Sequence, residues 1–322
     1  MENSDKSKEF KTSIGGQALI EGIMMRGPKK LSIVVRTKDG LDEKTEDITP
    51  PKEKCVIFGF VFIRGVVNFI NSMTIGMRSI MYSADKMPEE EIEEPSKFDR
   101  WLEAKLGSEK AEKIIISIAV VIGIAFSVGL FFLLPTFLAG LASDLIEKLM
   151  NRDLSGIIRN LLEGVVRITI FLTYLWLATK MSYIKRLWAY HGAEHKAIYC
   201  YEKSLPLTIE NVREQSSLHP RCGTSFLFIV MIVSILVFSL MSWDNLLMRF
   251  ALRIALLPVV VSISFEIIKL AGRYDNFLTR VISAPGKALQ RLTTSEPDDE
   301  MIEVAIKAIE NVIPENESEA AW

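Results

Sequence analysis

Four long apolar segments leave this chain of 322 residues few ways to satisfy its backbone other than as helices in a bilayer. The first, 114–140, carries no charged residue and exceeds the roughly 20 residues that a spanning helix needs. The others cover 165–181, 223–243 and 250–272. We therefore predict a mainly α-helical polytopic membrane protein with about four transmembrane helices, surrounded by membrane lipids.

Lys and Arg are unevenly distributed between these segments. They are frequent before the first segment, between the second and third, and after the fourth, and sparse in 141–164 and 243–249. The positive-inside rule therefore predicts that both termini and residues 182–222 lie in the cytoplasm. The formal net charge of −2, without a dense basic run, argues against nucleic acid as a partner.

All three histidines lie between positions 191 and 219. His191 and His195 form H-x-x-E-H, the zincin metal motif in reverse order, in a segment predicted to be helical. Positions i and i+4 share a helix face, so both imidazoles can reach one ion. Glu194 lies on the flank of that face, where it could take a proton from water without ligating the metal.

His219 and Cys222 form H-x-x-C and are the further predicted ligands of a divalent metal of the zinc type. The predicted topology puts Cys55, Cys200 and Cys222 on the reducing side, which favours a thiolate ligand over a disulfide. Three protein ligands suit catalytic zinc, and four suit a structural site. Both uses stay open, as does a structural hydrogen-bonding role for the histidines and a packing role for Cys222.

Glu266 lies inside the fourth apolar segment, roughly 6 residues or about 9 Å from its cytoplasmic end. An ionisable residue at that depth is a candidate functional residue. Glu266 could face a metal held just above the membrane, as a second catalytic carboxylate beside Glu194. The alternative is an ion pair with Lys269, Arg273 or Arg64.

The remaining regions are predicted from turns, charge and amphipathicity. Glycine-bounded apolar stretches and a turn at Lys38-Asp39-Gly40 predict a small N-terminal β-structure. Arg64, near the middle of 56–82, favours an amphipathic helix that lies on the cytoplasmic membrane surface or packs against the bundle over a fifth span. An amphipathic helix over 300–312, capped by the preceding acidic residues, is predicted before a disordered tail from residue 314. The predicted regions are 1–54 (β-rich), 55–87 (membrane-associated helix), 88–112 (acidic linker and short helix), 113–272 (four-helix transmembrane bundle containing the metal-motif segment 182–222) and 273–322 (cytoplasmic helix and tail).

Several motifs together resemble the YqhQ-like family of bacterial membrane proteins, from about residue 15 to residue 312. They are G-G-Q-A-L-I-E-G-I-M-M-R-G-P (15–28), H-G-A-E-H-K (191–196), H-P-R-C-G-T-S-F (219–226), S-F-E (264–266) and L-T-T-S-E-P-D-D (292–299). The family is described as one of unknown function and of predicted metal-dependent enzymes. The resemblance implies a metal site and a bacterial cytoplasmic membrane location, but no particular reaction.

The sequence thus favours a membrane-bound metal-dependent hydrolase with a cytoplasm-facing site. Its expected substrate is a peptide or membrane protein, or a lipid-linked molecule, because the site would lie at the bilayer surface. The alternative is a non-enzymatic assembly factor or scaffold in which a structural metal clamps residues 182–222.

Overall fold

A computed structural model describes residues 10–87, 100–101, 104–105, 107–240, 246–274 and 276–320. The protein is mainly helical with a small N-terminal β-sheet, as the sequence predicted. The predicted acidic linker at 88–99 lies outside the described residues.

Four antiparallel strands form the N-terminal sheet in the order β1-β2-β3-β4. The strands are β1 (Gly15–Leu19), β2 (Gly22–Arg26), β3 (Lys30–Thr37) and β4 (Gly40–Asp47). Thr37 pairs with Gly40, so the turn predicted at Lys38-Asp39-Gly40 is confirmed. Gly40 has a φ of +122°, which only glycine adopts without strain.

The central strands β2 and β3 are covered on both faces. Successive side chains of a strand point to opposite faces, and here the two sets enter different hydrophobic clusters. Ile23, Met25 and Val34 pack into a cluster with two long helices, whereas Met24 and Ile33 pack on the other face. This double burial explains the continuous apolar runs of β2 and β3, which a sheet with one wet face would not need.

Ten helices of five or more residues are described. They are α1 (Ile63–Asp85), α2 (Ser108–Val128), α3 (Leu134–Met150), α4 (Gly156–Ala178), α5 (Ser182–Glu202), α6 (Ile209–Arg213), α7 (Gly223–Ser239), α8 (Leu246–Arg273), α9 (Phe277–Thr293) and α10 (Asp299–Glu310). A π-helical turn, Gly129–Leu133, joins α2 to α3 without a break.

Three described helices are long and apolar enough to cross a membrane: Ser117–Met150, Gly156–Ala178 and Phe250–Arg273. The third predicted span, 223–243, forms helix only over Gly223–Ser239 within the described chain. Its 17 residues would extend about 26 Å, short of the ~30 Å hydrocarbon core. Four predicted spans therefore become three candidates and one shorter apolar helix.

The predicted loop 141–164 is largely helical, which corrects the sequence interpretation. Helix α3 continues to Met150, and α4 begins at Gly156. The charged residues of 141–150 did not end the helix, because exposed charges are compatible with helical backbone. The helix ends only where Asn151 adopts a left-handed conformation.

Helix α1 is not among the candidate spans of the described residues. Its N-terminal end packs against α8 instead. The Ser262 hydroxyl donates to the Phe62 carbonyl, and a Cβ at Gly65 would meet the Ser262 Cα at 2.8 Å. Only glycine permits this close packing of the two backbones.

The C-terminal region is more ordered than predicted. Asp298 caps α10 by accepting from the Met301 amide at 2.9 Å, and one face of that helix is buried in the main hydrophobic cluster. The prediction of disorder from residue 314 is wrong for the described end of the tail. Ala320 is buried, and its carbonyl accepts from the Ser13 amide at 2.6 Å. Local composition did not reveal this contact, because neither the small side chain of Ala320 nor Ser13 marks a pairing between the two ends of the chain.

Internal contacts divide the chain into two units. One comprises residues 1–87, 175–234 and 250–322, and the other comprises 88–174 and 235–249. All residues of the histidine and cysteine motifs belong to the first unit.

Candidate metal centre

Helix α5 carries H-x-x-E-H and is buried along most of its C-terminal half. Every residue from Ala189 to Glu202 except Tyr199 is buried. A helix buried on nearly all sides is usually apolar, but this one contains two histidines, a lysine and two glutamates there. Buried polar groups are costly unless they are paired, so each of them must have a defined partner.

Main-chain carbonyls fix both imidazoles of the motif. His191 Nδ1 lies 2.7 Å from the Thr293 carbonyl oxygen, and His195 Nδ1 lies 2.5 Å from that of Ser217. A carbonyl can only accept, so each Nδ1 carries the proton and donates it. Each Nε2 therefore presents a lone pair. Ligating histidines in metal sites are held by this type of hydrogen bond.

The two imidazoles converge with the Cys222 sulfur. His191 Nε2 lies 3.0 Å from Cys222 Sγ, and one ligand atom from each of His191, His195 and Cys222 lies within 4.8 Å of the others. All three side chains are buried. His195 Nε2 is buried and has no hydrogen-bond partner among the described residues. A metal ion could complete a group of this kind, in which a buried ring nitrogen without a partner belongs to the same cluster as a cysteine sulfur and a second imidazole.

The Cys222 sulfur is also supported from its own segment. The Thr224 amide donates to it at 3.4 Å, and the Thr224 hydroxyl lies at 3.3 Å. These contacts hold the sulfur in place, and cysteine binds metals as a thiolate. Two imidazoles and one thiolate are donors that zinc accepts, and three protein ligands leave one position open. The residues present therefore fit a zinc-type divalent metal.

Glu194 lies between the two histidines and is tied to the sheet. Its Oε1 accepts from the Gly16 amide at 3.0 Å. A Cβ at Gly16 would approach the Met24 carbonyl oxygen to 2.6 Å, so only glycine at this position allows β1 to pack this closely against β2. Burial raises the pKa of Glu194, although the neighbouring His191 imidazole and the Gly16 hydrogen bond act in the opposite direction. Glu194 is not one of the three clustered ligand residues.

His219 lies next to this cluster but contacts other partners. Its Nε2 is 3.5 Å from Glu202 Oε2, and Arg221 forms an ion pair with the same carboxylate. Burial lowers the pKa of His219 to about 4, although the Glu202 hydrogen bond favours the charged form. Of the four predicted ligands, three side chains are clustered and could hold a metal, whereas His219 contacts Glu202.

Glu266 forms an ion pair with Arg64, which was the alternative to a position facing the metal. Its carboxylate pairs with Arg64 through two contacts, one of them 2.6 Å from Arg64 Nε to Oε1. It is not part of the His191, His195 and Cys222 group.

The segment after α9 lies directly on the metal-motif helix. A Cβ at Gly192 would come within 3.0 Å of the Ser295 carbonyl oxygen, closer than real Cβ contacts, and the Ser295 amide donates to the Trp188 carbonyl at 2.9 Å. Lys196, which is 4% exposed, pairs with Glu296 at 2.8 Å. The motifs 191–196 and 292–299 are therefore two sides of one interface.

Several supporting residues were missed by the sequence reasoning. Gln290 is buried and holds the His219 backbone by two hydrogen bonds of 2.7 Å, one to the amide and one to the carbonyl. Glu202 and the carbonyls of Ser217 and Thr293 are the others. Thr293 and Gly16 belong to motifs that carry the family resemblance. They act through main-chain groups, which every residue type has, so the sequence could not predict their roles.

The chain is similar to known proteins along most of its length. Residues 60–315 match the model of a family described as "Protein of unknown function (DUF1385)". The chain is 34% identical over 304 residues to "Uncharacterized protein YqhQ" of Bacillus subtilis (strain 168), covering 93% of this chain and 92% of that protein. No solved structure matches the chain. These descriptions name no reaction, so the chemistry must be argued from the site.

Proposed function

We propose that this chain, which belongs to the DUF1385 family of unknown function as its motifs predicted, is a membrane-bound, metal-dependent hydrolase. The observation that carries the proposal is the convergence of the His191 and His195 imidazoles with Cys222 Sγ in a buried site, where His195 Nε2 has no hydrogen-bond partner among the described residues. A divalent metal of the zinc type, held there, supplies Lewis acidity to the reacting group.

The protein's own residues supply orientation and proton transfer in this proposal. The carbonyls of Thr293 and Ser217 keep both imidazoles in the tautomer that leaves Nε2 available. Glu194, within the same helical turn, is the candidate acceptor for a proton from the attacking water. Its burial excludes bulk water, which strengthens the electrostatic interactions inside the site.

The three apolar helices and the charge distribution support a membrane location with the site on the cytoplasmic side. A site at that surface suits a substrate that is itself held in the membrane. A membrane-embedded peptide and a lipid-linked molecule remain the two substrate classes of the proposal.

A structural metal in an assembly factor is the second candidate function. This function is favoured because the clustered side chains and the carbonyls that hold the imidazoles come from three segments: α5, residues 217–222 and the end of α9. A metal bound there would fasten three segments distant in sequence. In that case Glu194 would serve only to hold β1 through Gly16.

Glu194→Gln separates these two functions. The glutamine carbonyl can still accept from the Gly16 amide, so the strand contact is kept while the proton acceptor is lost. If the protein is a hydrolase, Glu194→Gln should keep wild-type metal content and abundance but fail to complement a deletion strain. His195→Ala should lose both metal and complementation.

Metal content is measured on purified protein by mass spectrometry, and X-ray absorption counts the ligands. Two imidazoles and one sulfur are expected, whereas His219 as a further ligand would favour the structural role. Full complementation by Glu194→Gln, combined with failure of His195→Ala, would overturn the hydrolase and support the assembly factor. Full metal occupancy in His191→Ala/His195→Ala would end the metal hypothesis for both.

A further inference from the structure

A cavity with a volume of about 180 Å³ lies beside the His191, His195 and Cys222 cluster, within the same unit. Five cationic side chains line it, with one acidic residue among the described lining residues. These are Lys11, Lys203, Arg221, Arg280, Lys287 and Glu202. Such an excess of positive charge in a concave site favours an anionic ligand.

The single carboxylate does not balance this charge. Glu202 is already paired with Arg221, and it also accepts from the Thr12 amide at 2.8 Å. Its pKa is lowered because the His219 hydrogen bond and the Arg221 charge outweigh the effect of burial. Within the described part of the chain, Lys11 and Lys287 form no ion pair. The cavity therefore keeps a net positive charge when Glu202 is ionised.

The cavity lies where a candidate membrane span ends. Ala271 and Gly272, in the last turn of α8, are part of its wall. Helix α9 follows directly, and its buried face, which includes Ser283, also borders the cavity. The opposite face is apolar and exposed: Phe277 is 83% exposed.

That exposed face is typical of a helix lying in the membrane interface. Leu278 and Val281 are also exposed, at 65% and 51%, beside Phe277. A helix with an apolar outer face buries it at the boundary of headgroups and acyl chains. The cavity behind α9 would then open at the level of the lipid phosphates.

The cavity is smaller than the roughly 300–1,000 Å³ of sites that enclose a whole drug-sized ligand. It can hold a small anionic group but not an entire lipid or peptide. We propose that this cavity binds the phosphate group of a ligand at the membrane interface, with Lys11 and Lys287 as principal contacts. The neighbouring apolar residues favour an anionic phospholipid as the source over a soluble phosphate compound.

This binding site goes beyond the proposed hydrolase and needs no metal. The cavity and the His191, His195 and Cys222 cluster share one face of helix α5, on which Tyr199 and Glu202 line the cavity and His195 belongs to the cluster. A phosphate-bearing ligand would be held about one to two helical turns from the metal ligands. Binding is therefore tested with metal-depleted protein, so that its outcome is separate from that of the hydrolase.

The experiment compares two phosphate sources on purified full-length protein in a zwitterionic detergent containing a chelator. Native mass spectrometry measures adducts with phosphatidylglycerol, with diacylglycerol, which has no phosphate, as the uncharged lipid control. Calorimetry measures inorganic phosphate. The variants are Lys11→Gln, Lys287→Gln and their combination. Lys287→Arg retains the charge, and Lys30→Gln removes an exposed charge on strand β3.

Phosphatidylglycerol adducts should weaken about tenfold for each lysine removed, since a hydrogen bond to a charged group contributes about that factor. Lys287→Arg and Lys30→Gln should bind as the wild type does. If inorganic phosphate alone shows this lysine dependence, the phosphate site stands and its source is soluble. Binding of neither probe, unchanged binding in the double variant, or an equal loss in Lys30→Gln would overturn the proposal. Size-exclusion chromatography confirms that each variant remains folded.

Discussion

Gly192→Ala should weaken the metal centre although alanine is the better helix former. In an open helix the change would stabilise the protein by about 0.8–1.0 kcal/mol. Here the new Cβ would lie within 3.0 Å of the Ser295 carbonyl oxygen, whereas ordinary contact begins at 3.4 Å. The main chain at Ser295 must therefore move away from helix α5 by at least 0.4 Å, the difference between these two distances. Overpacking of this kind costs about 1–3 kcal/mol, which exceeds the gain in helix propensity.

The displacement should reach the metal through Thr293. Its carbonyl, two residues before Ser295, holds His191 Nδ1 at 2.7 Å. Disturbing a hydrogen bond that orients a ligating histidine costs roughly 10–100-fold in metal affinity. We therefore expect zinc affinity to fall within that range and thermal stability to fall. The stability difference from wild type should be larger with zinc than with a chelator, because weaker binding stabilises the folded state less.

Zinc affinity is measured by competition with a chromophoric chelator, and stability by thermal unfolding in detergent. Gly140→Ala is the matched control. Gly140 is also helical, and its Cβ would meet nothing within 4 Å. That variant should be neutral or slightly more stable, with unchanged zinc affinity. Wild-type zinc affinity and raised stability in Gly192→Ala would refute the close packing of 292–299 on helix α5.

Two further predictions concern the contact between α1 and α8. Arg64→Met should destabilise the folded protein by about 1.5–3 kcal/mol, because Glu266 loses a charged hydrogen-bond partner. The double variant Arg64→Met/Glu266→Met should recover much of that loss. If thermal unfolding shows that the effects of the two substitutions simply add, the two residues do not form a direct pair. Residues 56–63 are exposed and apolar, and Phe62 contacts Ser262 near the middle of a candidate span. A cysteine at position 60, introduced as Phe60→Cys in a Cys55→Ser background, should therefore react slowly with water-soluble maleimide. Nitroxide-labelled lipid acyl chains should quench the fluorescence of a probe attached to that cysteine. Rapid aqueous labelling at position 60 would show that this segment lies outside the bilayer.

The helical spans illustrate how far local sequence reaches. Runs such as 114–140 specify helix because a bilayer leaves the backbone no other partner. Helix ends were less predictable: α3 continues to Met150 through charged residues, since charge on an exposed helix face does not break the backbone pattern. The hairpin at Gly40 was legible because a two-residue turn requires particular residue types.

The sequence by itself determined the H-x-x-E-H helix, the candidate spans and the residue types from which a metal site could be built, because spacing and apolarity are local properties. Only the tertiary structure decided which residues converge. It brought Cys222 to both histidines, directed His219 to Glu202 and paired Glu266 with Arg64. It also supplied the carbonyls of Thr293 and Ser217, which fix the imidazoles. These choices depend on backbone groups and on segments far apart in the chain, and neither leaves a mark in residue spacing.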